Sequence, residues 1–127
     1  MKTIKFPGSV PLAALTVLLW VALATIHGAM ITVTSTADDS SPGTLRDAVI
    51  HAADGDAIFL PSAQVFQMGT IYDDPDNFMG PTATPMITKR IIIEAQGSTL
   101  EHSPNGVNFR AFAVGPGGNL DIRNAYR

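Results

Sequence analysis

Three carboxylates and an amide fall within six residues at Tyr72-Asp73-Asp74-Pro75-Asp76-Asn77. Calcium, a hard cation, takes several oxygen ligands at once, so Asp73, Asp74 and Asp76 form a weak calcium candidate. Their spacing departs from the Asp-x-Asp-x-Asp-Gly loop, and Pro75 interrupts the run. The plainer expectation is a solvated loop with no resident metal. Arg110 is the second candidate, in the alternating stretch Asn108 to Val114, with Asp121 and Arg123 on the segment that follows. The plain expectation there is an exposed ion pair, which contributes little. His51 and His102 are isolated, without a second histidine or a carboxylate at metal-ligand spacing. The chain has no Gly-x-Ser-x-Gly element, no Gly-x-Gly-x-x-Gly between a strand and a helix, and no phosphate loop. Gly115-Pro116-Gly117-Gly118 is a turn between strands. No catalytic residue is assigned, and no cofactor is expected.

Address and composition narrow the chemistry further. Lys2 and Lys5 precede a stretch from Val10 to Ile26 that contains no charge. A positive flank, a short apolar run and then small residues make the secretory signal pattern. The run is short for a membrane span, and Pro11 weakens a long helix near its start. Residues 1–28 are therefore read as a signal peptide, with an uncleaved membrane anchor as the alternative. Removing them leaves 99 of 127 residues, enough for one small domain. Six of the eight basic residues then remain against eleven acidic ones, a net charge of −5. An acidic surface argues against nucleic acid and against docking onto anionic lipid. The membrane is expected to matter only through the signal segment. There is no cysteine, which excludes disulfides, thiolate zinc sites and cysteine nucleophiles.

Periodicity supplies the elements that must position these groups. Ile31 to Thr36 alternates apolar and β-branched polar residues, which predicts a strand with one buried face. A turn cluster at 38–43 leads into a helix over Thr44 to Ala53. Its Leu45, Ala48, Val49 and Ala52 share one stripe, with Arg46, Asp47 and His51 off it or at its border. Asp54-Gly55 is the expected stop, and the helix is expected to cover an open apolar end. Ala57 to Leu60 predicts a buried strand. Residues 61–85, rich in Gly and Pro, read as a surface excursion carrying short strand fragments at 64–67 and 70–72. Strands return at Arg90 to Ala95 and near Thr99. Another is expected at Asn108 to Val114, with Phe112 and Val114 inward, and another at Asn119 to Asn124, with Leu120 and Ile122 inward. Ile58 to Ile91 is 33 residues and Ile91 to Leu120 is 29. A recurrence at this period, bounded by Gly and Pro, is the signature of a solenoid. A small β-sandwich gives similar short strands, but one long excursion among tight turns favours a stack of coils.

The segment from Ile31 to Leu60 resembles the N-terminal region of secreted bacterial right-handed parallel β-helix proteins. It carries Thr44-Leu45-Arg46-Asp47-Ala48-Val49 and then Ala53-Asp54-Gly55-Asp56-Ala57-Ile58-Phe59. It is similar to the region named for a Cys-Ser-Leu-Arg-Glu-Ala stretch (CSLREA). Gly43-Thr44 stands for Cys-Ser, Asp47 replaces Glu, and Leu45, Arg46 and Ala48 match. Ile87 to Gly97, Phe109 to Val114 and Gly118 to Ile122 look like the first coils of such proteins. The resemblance implies an all-β, pectate-lyase-like parallel β-helix with one capping helix. It implies a secreted or outer-membrane location on a bacterium, in polymorphic outer-membrane-protein-like or adhesin-like company.

These proteins continue for many coils. Residues 29–127 are thus expected to be the cap and first two or three coils, an incomplete stack read as a fragment. The alternative is a short protein that self-associates through its open C-terminal edge. The expected function is that of an exported structural or adhesive surface module without a catalytic site, in contact with a cell surface or carbohydrate. A competing reading makes the chain the start of a polysaccharide lyase or hydrolase whose active coils lie beyond residue 127. Resemblance to β-helix lyases implies proton abstraction by an arginine beside clustered aspartates, for which Arg110, with Asp121 and Arg123 on the next coil face, would be the candidate. A non-functional remnant is a third reading. Leu45→Asp or Ile92→Asp is expected to unfold the domain by burying an unpaired charge.

Overall fold

The computed structural model describes residues 28–104 and 107–126. The apolar run assigned to an export signal, residues 1–28, lies outside the described residues except for Gly28. Among the described residues no helix is long and apolar enough to cross a membrane.

The described chain is mostly β with one short helix. Six strands form: β1 (Met30–Thr32), β2 (Ala57–Phe59), β3 (Val65–Met68), β4 (Arg90–Glu94), β5 (Thr99–His102) and β6 (Asn119–Arg123). The helix, α1 (Leu45–His51), lies between β1 and β2. One sheet has the order β1-β2-β4-β6 and the other pairs β3 with β5, and every one of these pairings is parallel. Parallel neighbours need long crossover connections. Here the crossover from β2 to β4 contains β3, and the one from β4 to β6 contains β5. The return segments also run side by side, with parallel bridges at Thr82–Arg110 and Ile87–Val114.

One rung explains the core. Ile31 pairs with Ile58, Ile58 with Ile93, and Ile93 with Ile122. β-Branched aliphatic side chains suit a pleated, packed surface, and identical shapes stack without leaving gaps. Ile58 and Ile93 are fully buried. Ile91 pairs with Leu120 on a second rung. Val33, Leu60, Phe66, Met68, Ile87 and Ala95 complete the core. The α1 stripe of Leu45, Ala48, Val49 and Ala52 is buried against it, as the periodicity requires.

α1 begins where its first turn is capped twice over. Thr44, in extended conformation, accepts from Asp47 N at 3.1 Å, and Asp47 Oδ2 accepts from Gly43 N at 3.1 Å. This is a near relative of the capping box, in which a hydroxyl and a carboxylate three residues apart satisfy each other's amides. The helix stops at His51, earlier than Asp54-Gly55 suggested, and Ala52 turns to extended backbone as the C-cap.

Several expectations are corrected. β1 is shorter than the strand expected over 31–36, because Thr34 N and Ser35 N both turn to Gly43 O at 2.9 and 3.1 Å. The strand fragment expected at 64–67 is β3, whereas 70–72 pairs only through a bridge at Tyr72, and residues 61–85 are not all surface, since Phe66, Met68, Thr82, Ala83 and Thr84 are buried. Residues 108–114 form no continuous strand. They pair only at Arg110 and Val114, so the alternation fails there: Ala113 is buried and Val114 is exposed. Ile58 pairs with Ile93 and not with Ile91. A two-residue shift keeps the same side chains inward, which is why the strand faces survive this error. Ile92 is half-buried on the outer face of β4, opposite Asp121, so Ile92→Asp does not test the core. Ile122 shares the inward rung but is 39% exposed, because β6 is the last strand of its sheet.

Candidate functional site

The loop carboxylates are not brought together. Asp74 is occupied by its own loop, with Oδ1 accepting from Asp76 N at 3.0 Å and Oδ2 from Met86 N at 2.8 Å. It is a turn-forming side chain of the kind that replaces a backbone partner. Asp73 makes no comparable bond among those the structure describes. Among the described residues, no three His, Asp or Glu side chains converge in a way that could hold a metal ion.

Arg110 also fails to meet its expected partners. Its Nη1 donates to Met79 O, while Asp121 pairs with Arg123 on its own strand at 2.7 Å. Both members of that pair are about half exposed. His51 sits beside Asp47 at 3.0 Å with its side chain largely in solvent. His102 stacks at 4.8 Å on Phe109, and its Nε2 lies 3.0 Å from Val107 O. His51 therefore has one carboxylate neighbour, and among the described residues no group of three metal-ligating side chains forms around either histidine.

The outward loop has a different use. Asn77 Nδ2 donates to Gly80 O at 2.9 Å and to Thr82 Oγ1 at 2.8 Å, and Arg110 holds Met79 from the neighbouring return segment. This clasp presents Ile71, Phe78 and Met79 to solvent, Phe78 being 74% exposed. Open recesses lie on both sides of Pro81, one against Phe109 and Arg110, the other against Tyr72, Asp73 and Asp74. The loop thus carries an apolar tip near Asp73, Asp74 and Asp76 on a hydrogen-bonded base.

Sequence reasoning missed the most connected polar group. Arg46 was placed off the helix stripe, yet it is 8% exposed. Its Nε donates to Ala83 O at 2.6 Å. Its Nη2 reaches Asp38 Oδ1 at 3.0 Å, Thr70 O at 3.0 Å and Thr70 Oγ1 at 2.7 Å. Asp38 Oδ2 in turn accepts from Gly69 N and Thr70 N, each at 2.7 Å. Arg46 thus ties α1 to the turn after β3 and to the return segment. Asp56, which enters the sequence reading only as part of the run Ala53 to Phe59, is a second such group. It is buried, and accepts from Ala29 N at 2.7 Å and Ala53 N at 2.8 Å, fixing the start of β1 against β2. Among the described residues no buried side-chain nitrogen or oxygen is left without a partner. The described buried polar groups are thus hydrogen-bonded within the chain, as buried polar atoms ordinarily are.

Comparison with family models, with curated proteins and with solved structures found no match to this chain.

Proposed function

We propose that this chain is an exported, non-enzymatic surface module: the helix-capped start of a right-handed parallel β-helix. On this reading it displays the 71–80 loop from a rigid stack on the outside of a bacterial cell. The observation that carries the reading is the rung Ile31–Ile58–Ile93–Ile122. Four parallel strands stack one residue type on itself across steps of 27, 35 and 29 residues. Each later step also passes through a second, parallel sheet and a return segment that pairs with its neighbour. This recurrence supports the reading of stacked coils. α1, with its apolar stripe on the core, acts as the cap. The positive flank and apolar run of residues 1–28 supply the export signal. Contact is made by Ile71, Phe78 and Met79, with a cell surface or a carbohydrate as the partner.

One experiment tests export and display together. A short epitope is inserted at 76–77, and the chain is expressed in a diderm bacterium. The expected result is an intact mass starting near Ala29 and antibody access to the epitope on unbroken cells. Retention of Met1 to Gly28 in a cytoplasmic product would sink the proposal.

A further inference from the structure

Asp56 is a buried carboxylate without a counter-charge among the described residues. It is 6% exposed. Its Oδ1 accepts from Ala29 N at 2.7 Å and its Oδ2 from Ala53 N at 2.8 Å. The charged groups around it are otherwise engaged. Lys89 Nζ turns to Ala52 O, and Asp54 Oδ1 accepts from Arg90 N at 2.7 Å. Arg90 Nη2 lies 3.5 Å from the point where a Cβ on Gly55 would stand. None of the ion pairs among the described residues includes Asp56. A buried charge is ordinarily paired, because burial strips away its hydration.

Ala29 is the first residue after the run read as an export signal, and the inference rests on that reading. Hydrolysis of the Gly28–Ala29 bond adds water across an amide. Gly28 leaves as a carboxylate, and the Ala29 nitrogen becomes an α-ammonium. The nitrogen that Asp56 already holds then carries a positive charge. We propose that a signal protease cuts between Gly28 and Ala29, and that Asp56 receives the new α-ammonium, latching β1 onto β2. The position of the cut follows from what each alternative leaves behind. A cut after Ala29 would remove the donor to Asp56, and with it Ala29 O, which accepts from Ala57 N at 2.9 Å. A cut after His27 would leave the Ala29 nitrogen an amide, with no charge to offer. The cut between them turns an existing hydrogen bond into a charge-assisted one, about twice as strong. The protease acts on the chain as it emerges, and the latch closes when the remainder folds.

The α-amine itself gives the test. The full chain is expressed in a diderm bacterium and the exported product is purified. Its mass is expected to begin at Ala29. The rate at which an acylating reagent labels the α-amine is then followed against pH, folded and in urea. In urea the midpoint should lie at the ordinary α-amino value of about 7.7–8.0. In the folded protein it should lie about one unit higher or more, making labelling near neutral pH about tenfold slower. Mere shielding would lower the plateau rate and leave the midpoint in place. A group raised on folding adds stability that is full below its unfolded value and is lost as pH rises through the folded one. Asp56→Asn should bring the folded midpoint back towards the urea value, and the parent's own titration decides even where that variant does not fold. A product beginning at Gly28 or Met30, a folded midpoint equal to that in urea, or a shift indifferent to Asp56→Asn overturns the latch while export stands. An uncut product also overturns it, and if that product is cytoplasmic the export reading falls as well.

Discussion

The guanidinium of Arg46 meets the carbonyl of Ala83 at 2.6 Å, joining a helix to a return segment 37 residues away. The same side chain holds Asp38 and Thr70, so one residue closes three loops onto the core. Removing one partner of a buried, hydrogen-bonded charge leaves the others unsatisfied. Arg46→Ala is expected to lower stability by about 3 kcal/mol. Arg46→Lys keeps the charge but loses the planar fork, and should fall between the two. Urea titration of the three proteins checks this, and equal midpoints would show that the network contributes nothing.

The isoleucine rung makes a graded prediction. Ile93 is fully buried between Ile58 and Ile122, whereas Ile122 is 39% exposed. Ile93→Ala creates a cavity in a packed layer and should cost roughly 2–5 kcal/mol. Ile122→Ala should cost clearly less, since little of its environment closes around the loss. Ile93→Asp should not fold, while Ile92→Asp, on the outer face, should fold with a modest loss. Thermal melts of the four variants give the order, and an Ile92→Asp protein less stable than Ile93→Ala would contradict the face assignment.

Much of this frame was readable from residue patterns. The helix stripe of Leu45, Ala48, Val49 and Ala52 follows from its 3.6-residue period. The strands at 57–59, 90–94 and 119–123 follow from apolar runs between turn residues. What stayed hidden depends on partners far along the chain. Nothing near Arg46 in sequence announces Ala83 or Thr70. A helix-border arginine is ordinarily solvated, so the local prior pointed outward. The capping signal was visible, with Thr44 followed three residues later by Asp47, and its meaning lies in the hydrogen bonds it makes. The Asp73, Asp74 and Asp76 cluster misleads for the opposite reason. Local crowding of carboxylates suggests a cation, while the backbone of Asp76 and Met86 has already claimed Asp74.

That claim is testable. Asp74→Ala removes the acceptor for two backbone amides and should lower stability by about 1–2 kcal/mol. Asp73→Ala should be close to neutral. Calcium added to the parent is expected to give no saturable heat, because the carboxylates do not converge. Saturable binding abolished by Asp73→Ala would reinstate the site.

Gly118 separates packing from turn conformation. A Cβ there would lie 2.1 Å from Ile87 O, a backbone atom that cannot swing aside. At Gly97, φ is +82° and nothing lies within 4 Å of the added carbon. Gly97→Ala should therefore carry only the left-handed strain of about 1 kcal/mol. Gly118→Ala must push the 115–118 turn away from the return segment, and should cost about 2 kcal/mol or more. Denaturant midpoints for the two variants decide the order, and the reverse order would mean that the turn is not seated against Ile87.

The last prediction concerns acid. Asp39 lies in the turn before α1, and Ser41 donates to its carboxylate from both hydroxyl and amide, the amide at 2.9 Å. These bonds favour the charged form, with the hydroxyl the larger cause, and hold the carboxyl below its ordinary value of 3.8. A carboxylate lowered on folding adds stability above its unfolded value, and that stability is lost as pH falls through the folded one. Ser41→Ala removes the hydroxyl and leaves the amide, so the titration should move part of the way up towards 3.8. Carbon-detected NMR of the Asp39 carboxyl in both proteins measures this directly. An unchanged titration would mean that the hydroxyl does not hold the charge, and that the amide alone orders the turn leading to Thr44.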